Sequence, residues 1–297
     1  MINAVKALVC CFAVIRESEP LDTAYTQVQI SKPAIASNFR TVQKIHVLLK
    51  KEELDSQRLE DKVIIVLDIL FATSSIVTAL AHGATAVIPT PDGTAALAES
   101  KRHAAGSFIL SGELHANTLP GFVHPTPRRL LAEGLERRTL IYCTTNGTVA
   151  LMKAHGAGDV YAAALLNAQA TVEHIALYHP DNTVLIVCSG SADNFNLEDF
   201  YGAGYFVSLF RRCLVDPEFS DAALAAELLH DHSEGLEVLR RSRVGRMMLT
   251  RGLDDEVAFA ARESSYDVVV CLKEGILRPV DLPGRAKPAA SLPAQSR

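Results

Sequence analysis

The chain lacks the cysteine spacing that marks a zinc site or a disulfide framework. Its six cysteines include no C-x-x-C pair and are scattered along the sequence: Cys10, Cys11, Cys143, Cys188, Cys213 and Cys271. This pattern is typical of buried thiols in a reducing compartment. We therefore predict a cytoplasmic protein without structural zinc or disulfide bonds.

The sequence also lacks a basic excess and a long hydrophobic run. A formal net charge of -5 provides no electrostatic footprint for nucleic acid, although a local pocket on an acidic protein can be positive. The apolar run at residues 7–15 is shorter than the roughly 20 residues that span a bilayer. Arg16, Glu17 and Glu19 follow it in place of a signal-peptide cleavage site. We predict no nucleic-acid partner and no membrane span. We interpret residues 1–42 as a poorly ordered extension, with a targeting segment as the alternative, and residues 281–297 as a flexible tail.

Several common catalytic motifs are missing as well. The sequence has no H-E-x-x-H, no G-x-S-x-G, no G-x-G-x-x-G after a predicted strand and no G-K-[ST] of a Walker A loop. These absences argue against zinc metalloproteases, serine hydrolases of the nucleophile-elbow type, dinucleotide-binding enzymes and P-loop nucleotide hydrolases.

What the sequence does have is an alternation of short apolar runs with helical patterns. Strands are predicted at residues 44–49, 62–67, 86–88, 107–110, 139–143, 160–162, 183–188 and 267–272. Helices are predicted at residues 74–82, 92–103, 149–155, 168–178, 197–214, 221–241 and 254–263. This order predicts an α/β protein with helices on both faces of a largely parallel sheet, plus a C-terminal helical portion. We assign residues 43–280 to one domain and leave residues 215–265 as a candidate helical cap.

Ligands of parallel α/β sheets bind beyond the carboxyl ends of the strands, so the loops there are the first places to search. The first such loop carries Asp68 directly after an apolar strand, where a carboxylate favours a metal, a proton or a cation. Ser74 and Ser75 open the next predicted helix and could hold an anion. The alternative is that Ser74 only caps the helix and that Asp68 accepts loop hydrogen bonds.

The second loop carries Glu113 and His115 after a strand and a glycine. His115 is a candidate general acid, and a surface loop with a structural histidine is the alternative.

The third loop reads C-T-T-N-G-T at residues 143–148. Thr145, Asn146 and Thr148 supply hydrogen-bond donors, and Gly147 lets a ligand approach the backbone, so the loop could cradle a phosphate or a sulfonate. An Asn-Gly turn with a threonine cap explains the same residues.

The fourth loop follows the strand at residues 183–188 and contains Ser189, Gly190 and Asn196 before Glu198 and Asp199. Asn196 is a natural helix cap, and acids are favoured in a first helical turn in any case. The functional interpretation is that one or both acids bind a divalent cation, and oxygen ligands suit Mg²⁺ better than zinc.

Taken together, these loops resemble the 2-phosphosulfolactate phosphatase family over residues 44–280. The resemblance is carried by D-I-L-F-A-T-S-S at 68–75, S-G-E at 111–113, P-G-F at 120–122, T-T-N-G-T at 144–148, C-S-G at 188–190 and L-E-D-F-Y-G-A-G at 197–204. The segment S-R-V-G-R-M-M-L-T-R-G-L-D-D-E-V also fits the closing helices of that family.

The resemblance implies a three-layer α/β/α fold and a Mg²⁺-dependent phosphatase that converts 2-phospho-3-sulfolactate to sulfolactate and phosphate, a step of coenzyme M biosynthesis. We expect Asp68, Glu198 and Asp199 to hold Mg²⁺, and Glu113 to position or deprotonate water. We expect the substrate, a small phosphorylated anion, to be bound by the following residues: Ser74, Ser75, Thr145, Asn146, Gly147, Thr148, Ser189 and Gly190. A phosphoenzyme formed on Asp68 and a homodimeric assembly are left open.

The sequence departs from the family pattern at two places. The family reads D-x-L-R-A-T-S where this chain has Phe71 in place of the arginine, which would be a clamp for an anion. The family also reads G-F-D-x-G-N-S-P where residues 121–129 introduce His124, Arg128 and Arg129. One of these arginines could replace the missing charge, or both could face solvent. Two alternatives follow: an anion-binding protein without activity, and a phosphatase for a different phosphorylated acid.

Overall fold

The computed structural model describes residues 42–280. Apart from Val42, the predicted N-terminal extension and the predicted C-terminal tail lie outside these residues.

The described residues form one large mixed sheet. Its strands are β1 Lys44–Leu48, β2 Lys62–Leu67, β3 Ala86–Pro89, β4 Phe108–Leu114, β5 Asn117–Thr118, β6 Thr139–Cys143, β7 Asp159–Ala163, β8 Thr183–Cys188, β9 Glu218–Phe219, β10 Val270–Lys273 and β11 Ile276–Pro279. Their order across the sheet is β5-β4-β6-β3-β11-β10-β7-β2-β8-β1-β9.

Two parallel groups of strands make up most of this sheet. One group is β4-β6-β3 and the other is β7-β2-β8-β1-β9. The antiparallel hairpin β10–β11 lies between them and pairs with β7 on one side and with β3 on the other. The sheet is therefore largely parallel, as predicted, but its middle is closed by the last two strands of the described chain.

Ten α-helices surround the sheet in the described residues. They are α1 Ala72–Ala81, α2 Gly93–Ser100, α3 Pro127–Ala132, α4 Gly147–Lys153, α5 Ala168–Tyr178, α6 Leu197–Cys213, α7 Asp221–Asp231, α8 Gly235–Arg241, α9 Arg243–Thr250 and α10 Asp254–Ala260. No helix within residues 42–280 combines the length and the apolar composition that a membrane crossing requires.

The core explains why the central strands could be predicted. Residues 63–67 of β2 are consecutively buried, because α6 and α4 both pack against this strand. A continuous apolar, β-branched run is what a strand covered on both faces requires. The strands at 62–67, 139–143 and 183–188 have the predicted bounds.

The single helix predicted at residues 221–241 is wrong, because the chain turns at residues 232–234 and forms α7 and α8. The turn lets Gly235 approach the α6 helix so closely that an added Cβ would lie 2.9 Å from the Tyr201 hydroxyl. Helix α3 and the strands β5, β9 and β11 were not predicted. Asp92 caps α2, since its carboxylate accepts the Ala95 N–H at 2.8 Å.

Candidate active site

Four strand-end loops and helix α9 meet around one cavity of about 270 Å³. Asp68 follows β2, Glu113 lies in β4, Thr144 to Asn146 follow β6, and Ser191 and Asn196 belong to the loop after β8. The carboxyl ends of the two parallel groups of strands therefore contribute to the same cavity, as the position of ligand sites in α/β sheets predicts.

Asp68 is held rigidly at the end of β2. The Thr73 hydroxyl accepts the Asp68 backbone N–H at 2.9 Å and donates to the Asp68 carbonyl at 3.0 Å. Oδ1 of Asp68 accepts the Ala72 N–H at 3.3 Å, which is the first N–H group of α1. Oδ2 has no hydrogen bond among the described residues, so one carboxylate oxygen is available to a ligand in the cavity.

The environment of Asp68 favours its protonated form. Burial raises the pKa of Asp68 to about 7, and the negative charges of Glu198 and Glu113 add to this rise, whereas the Ala72 N–H and the Lys51 ammonium oppose it. A carboxyl group that exchanges its proton near neutral pH and lies in a cavity is typical of functional sites.

Gly147, the first residue of α4, lies against this carboxylate. A Cβ added at Gly147 would lie 2.7 Å from Oδ2 of Asp68 and would collide with Cβ of Ala72. Only glycine leaves room for the β6–α4 loop to pack onto the start of α1. This close approach joins the first and third predicted loops into one site.

Glu113 accepts hydrogen bonds with both carboxylate oxygens. Oε1 accepts the Thr145 N–H at 2.6 Å, and Oε2 accepts the Ala116 N–H at 2.5 Å and the Thr145 hydroxyl at 3.2 Å. This geometry does not favour the predicted role of Glu113 as a base for water. It also directs the N–H and the hydroxyl of Thr145 toward Glu113 rather than toward a bound anion.

The rest of the β6–α4 loop has mixed roles. The hydroxyl of Thr148 is fully buried and donates to the Thr144 carbonyl at 2.8 Å, so it shapes the loop from below. Asn146 lines the cavity, and its Oδ1 accepts a hydrogen bond from the buried Lys51 ammonium at 3.3 Å. The same ammonium donates to the Ser189 carbonyl at 3.1 Å. Lys51 thus ties two strand-end loops together, and the sequence analysis did not identify it.

Asp199 connects the first and the fourth loop. Its Oδ1 accepts the Ile69 N–H at 2.9 Å, and its Oδ2 accepts the Gly190 N–H at 3.2 Å. Burial raises the pKa of Asp199 well above its ordinary value, and the charges of Asp68 and Glu198 raise it further. Since both oxygens already accept backbone hydrogen bonds, this placement argues for a structural role rather than the predicted catalytic and metal-ligand role.

Glu198 has one carboxylate oxygen without a partner. Oε2 is buried and accepts no hydrogen bond among the described residues. Burial raises the pKa of Glu198, while a backbone N–H, the Ser242 hydroxyl and the Arg243 charge lower it. Glu198 does not line the cavity, but its charge raises the pKa of Asp68.

The predicted serine ligands lie beneath the cavity. Ser74 and Ser75 are fully buried within α1, and their hydroxyls donate to the carbonyls of Ile69 and Pro125, both at 2.8 Å. Ser74 is therefore not the helix cap, because α1 begins two residues earlier. Ser189 is also fully buried, and its hydroxyl has no partner among the described residues.

Gly190 has a structural reason for being glycine. Its φ is +62°, and an added Cβ would lie 2.7 Å from the Asn194 carbonyl oxygen. Neither Ser189 nor Gly190 lines the cavity.

Two arginines that the sequence analysis did not identify supply positive charge at the cavity. Arg243 and Arg251 lie on α9 and at its C-cap, and both line the cavity together with Met247. In this arrangement, Arg243 donates to the Ser191 hydroxyl and Arg251 donates to the Ala116 carbonyl. The three residues recur every four positions, which places them along one face of a helix.

The arginines expected from the 121–129 segment are elsewhere. Arg128 and Arg129 are exposed and do not line the cavity, and Arg128 forms an ion pair with Asp255. Phe71 lines the cavity and is 7% exposed, so an apolar ring lies at the position where the resemblance led us to expect an arginine.

His124 from the same segment does line the cavity. Burial lowers the pKa of His124, and the charges of Arg129 and Arg251 lower it further. Its Nδ1 lies 3.1 Å from the Thr126 hydroxyl, which donates to the buried Glu256 at 2.8 Å. A neutral imidazole that is oriented by such a chain can accept a proton. His115 also lines the cavity, and its side chain is exposed.

Within residues 42–280, no group of three or more His, Cys, Asp or Glu side chains is arranged to hold a metal ion. The carboxylate oxygens without a hydrogen bond at this site belong to Asp68 and Glu198, and Mg²⁺ in phosphoryl-transfer sites is bound by one or two carboxylates with water and phosphate oxygens. The donors therefore suit such a site and do not suit a cage of three carboxylates.

The sequence matches one protein family and several of its members. A family model described as 2-phosphosulpholactate phosphatase matches residues 48–275. A protein of Carboxydothermus hydrogenoformans is 35% identical over 227 residues, which cover 76% of this chain and 92% of that protein. A protein of Symbiobacterium thermophilum is 32% identical over 223 residues, covering 74% of this chain and 95% of that protein. A protein of Clostridium beijerinckii is 29% identical over 234 residues, or 78% and 98% of the two chains. All three are named probable 2-phosphosulfolactate phosphatase.

Proposed function

The chain belongs to the 2-phosphosulfolactate phosphatase family, a family of phosphoric monoester hydrolases, and from this membership we propose that it hydrolyses the phosphate ester of a small 2-hydroxy acid. The substrate is 2-phospho-3-sulfolactate or a similar phosphorylated acid. The observation that carries the proposal is one cavity in which the Asp68 carboxylate, with a free oxygen, lies among two arginines and a neutral histidine.

Arg243 and Arg251 bind the anionic groups of the substrate in this proposal. A guanidinium presents several N–H donors in a plane and suits the oxygens of a phosphate or a carboxylate. Their present partners, the Ser191 hydroxyl and the Ala116 carbonyl, are neutral groups. An incoming anion is a stronger acceptor than either, so both arginines can turn toward it.

Asp68 and Glu198 would hold Mg²⁺. This assignment is supported by the free Oδ2 of Asp68 and by the buried Oε2 of Glu198 that lacks a partner. Bound there, Mg²⁺ would neutralise charge on the phosphoryl oxygens and orient the ester. Asp199 would act indirectly, because its two backbone hydrogen bonds fix the loops that carry Asp68 and Gly190.

Hydrolysis joins a water oxygen to phosphorus, breaks the ester P–O bond and leaves a proton on the released hydroxyl group. His124 is the side chain at the cavity best suited to move that proton, because it is neutral and its ring is oriented through Thr126. It would accept the proton from the attacking water and release it to solvent, and the leaving oxygen, on the opposite side of phosphorus, would take a proton from solvent water. Glu113 would hold the loop after β6 in place through its hydrogen bonds from Thr145.

The test is phosphate release from 2-phospho-3-sulfolactate and from 2-phospholactate, with Mg²⁺ and with EDTA. We expect release that requires Mg²⁺, and loss of nearly all activity in Asp68→Asn. The exposed turn residue Asp216 supplies the matched control, Asp216→Asn, which should keep full activity. Absence of release from both compounds in the presence of Mg²⁺, or full activity of Asp68→Asn, would contradict the proposal.

A further inference from the structure

Part of the cavity lining is apolar. Phe71, Val244 and Met248 line the cavity and are each 7% exposed, and Met247 lines it while partly buried; we call these four side chains the apolar wall. All four side chains belong to the main hydrophobic core or pack against it. The wall is therefore an extension of the core surface and not a set of flexible side chains that could turn away.

Helix α9 presents both kinds of chemistry to the cavity. Val244, Met247 and Met248 follow at i, i+3 and i+4, which places them on one face of the helix. Arg243 and Arg251 lie near its two ends. A ligand in the cavity thus meets positive charge at the ends of α9 and methionine and valine along its middle.

The cavity lining combines acidic and basic side chains. Asp68 and Glu113 are acidic, and Arg243 and Arg251 are basic. A phosphorylated sulfo acid carries a phosphate, a carboxylate and a sulfonate, about four negative charges in all near neutral pH. Its sulfonate would lose its hydration against phenylalanine and methionine without a new partner, which is unfavourable. The same surface would stabilise a hydrocarbon group.

We propose that this wall binds an apolar substituent of the substrate, so that the preferred compounds are phosphate monoesters of 2-hydroxy acids with an alkyl or aryl side chain instead of a second strong acid. The inference rests on the proposed phosphatase function and selects the substrate class within it. In this arrangement the phosphate and the carboxylate face the arginines and Asp68, and the side chain packs on Phe71 and α9. The cavity volume of about 270 Å³ limits that side chain to a small group.

The first experiment compares kcat/KM for 2-phospho-4-methylpentanoate and for 2-phospho-3-sulfolactate in the presence of Mg²⁺. We expect the wild-type protein to prefer the alkyl compound by about tenfold or more, and Phe71→Arg to shift the ratio toward the sulfonate by a similar factor. Leu177→Arg adds the same charge at a position that is 69% exposed on α5 and outside the cavity, and it should leave the ratio unchanged. The inference would be overturned if the wild type preferred the sulfonate. It would also be overturned if the ratio of the two kcat/KM values were the same in Phe71→Arg as in the wild type.

Two further measurements distinguish a failure of the inference from misfolding of Phe71→Arg and from a failure of the phosphatase function. If Phe71→Arg does not fold, Met247→Arg introduces the same charge at a less buried position of the same wall and should shift the ratio in the same direction. Calorimetric binding of non-hydrolysable phosphonate analogues of both compounds needs no turnover. Tighter binding of the alkyl analogue without hydrolysis of any ester would reject the phosphatase function and keep the inference. Hydrolysis with a preference for the sulfonate would keep the function and reject the inference.

Discussion

The carboxylate of Glu113 accepts the backbone N–H of Thr145 at 2.6 Å and so joins the end of β4 to the loop that follows β6. The other oxygen of the same carboxylate accepts the Ala116 N–H. One side chain thereby fixes both strand-end segments of this half of the sheet. Glu113 is a positioning residue in this structure, and its kinetics should differ from those of a general base.

Glu113→Gln tests this assignment. A glutamine can still accept one N–H, but its amide nitrogen would face a second N–H group, so the loop should shift and KM should rise. We expect kcat to fall by less than about tenfold, whereas loss of a general base typically costs 10²–10⁴-fold. The pH profile of kcat should be unchanged. Steady-state kinetics across pH measures all three, and loss of the acidic limb of the profile would show that Glu113 titrates in the reaction.

Asp68→Asn should stabilise the metal-free protein at alkaline pH. The pKa of Asp68 is raised to about 7 in the folded state, above the ordinary value near 3.8. The folded state therefore binds more protons between these values, and the stability from this group is present below about pH 4 and is lost as the pH rises through 7. Asparagine does not titrate, so Asp68→Asn does not lose stability as the pH rises.

Thermal unfolding in EDTA measures the effect. The Tm of Asp68→Asn should exceed that of the wild type at pH 8, and the difference should shrink toward pH 5. Each kcal/mol corresponds to roughly 2–4 °C for a domain of this size. Asp216→Asn, at an exposed position outside the cavity, is the control variant. Equal Tm values for Asp68→Asn and the wild type at pH 8 would contradict the assignment.

Gly147→Ala should displace Asp68 and lower both stability and activity. Its new methyl group would collide with Cβ of Ala72 and lie 2.7 Å from Oδ2 of Asp68. Overpacking of this kind typically costs about 1–3 kcal/mol in the free energy of unfolding, and displacement of Asp68 should abolish most activity. Gly158→Ala is the matched control, because its nearest neighbour would be the Lys62 carbonyl oxygen at 3.4 Å. Chemical denaturation and phosphate release on both variants give the comparison.

Arg243 and Arg251 should control the affinity for the anion. We expect Arg243→Met and Arg251→Met each to raise KM by about tenfold, less than the roughly 2–5 kcal/mol typical of buried charge pairs, because both side chains remain partly hydrated. Arg246→Met is the control on the same helix, since Arg246 bonds the Arg241 carbonyl and does not line the cavity. Higher salt should raise KM for the wild type and have less effect on the two cavity variants. A KM unchanged in both variants would place the anion elsewhere.

The fold could be predicted from local sequence wherever burial imposed a pattern. Residues 63–67 are apolar and buried because α4 and α6 pack against β2, and the pattern indicated the strand with its bounds. The break between α7 and α8 had no such signal, since it depends on how closely Gly235 approaches Tyr201 on a distant helix. Strand β11 was missed for a similar reason: its place between two groups of strands is decided by pairing and not by composition.

The candidate site could be predicted less completely. Asp68, Glu113, Thr145 and Asn146 line the cavity, as expected from their positions at strand ends. Sequence could not indicate that Glu113 is saturated by three donors, because two of them come from Thr145, which lies 32 residues away along the chain. The spacing of Arg243, Met247 and Arg251 was a usable signal, but nothing local showed which way that helix face points.

The hairpin β10–β11 affects how the sheet can form while the chain is being synthesised. The two groups of parallel strands have no pairing with each other among the described residues except through Val270–Lys273 and Ile276–Pro279. A ribosome delivers these residues after all the other strands, so the two groups of strands cannot pair through the hairpin until residues 270–279 have been synthesised. Each half exposes an unpaired strand edge during this interval, at β3 and at β7, and such edges are where nascent chains associate with the wrong neighbours.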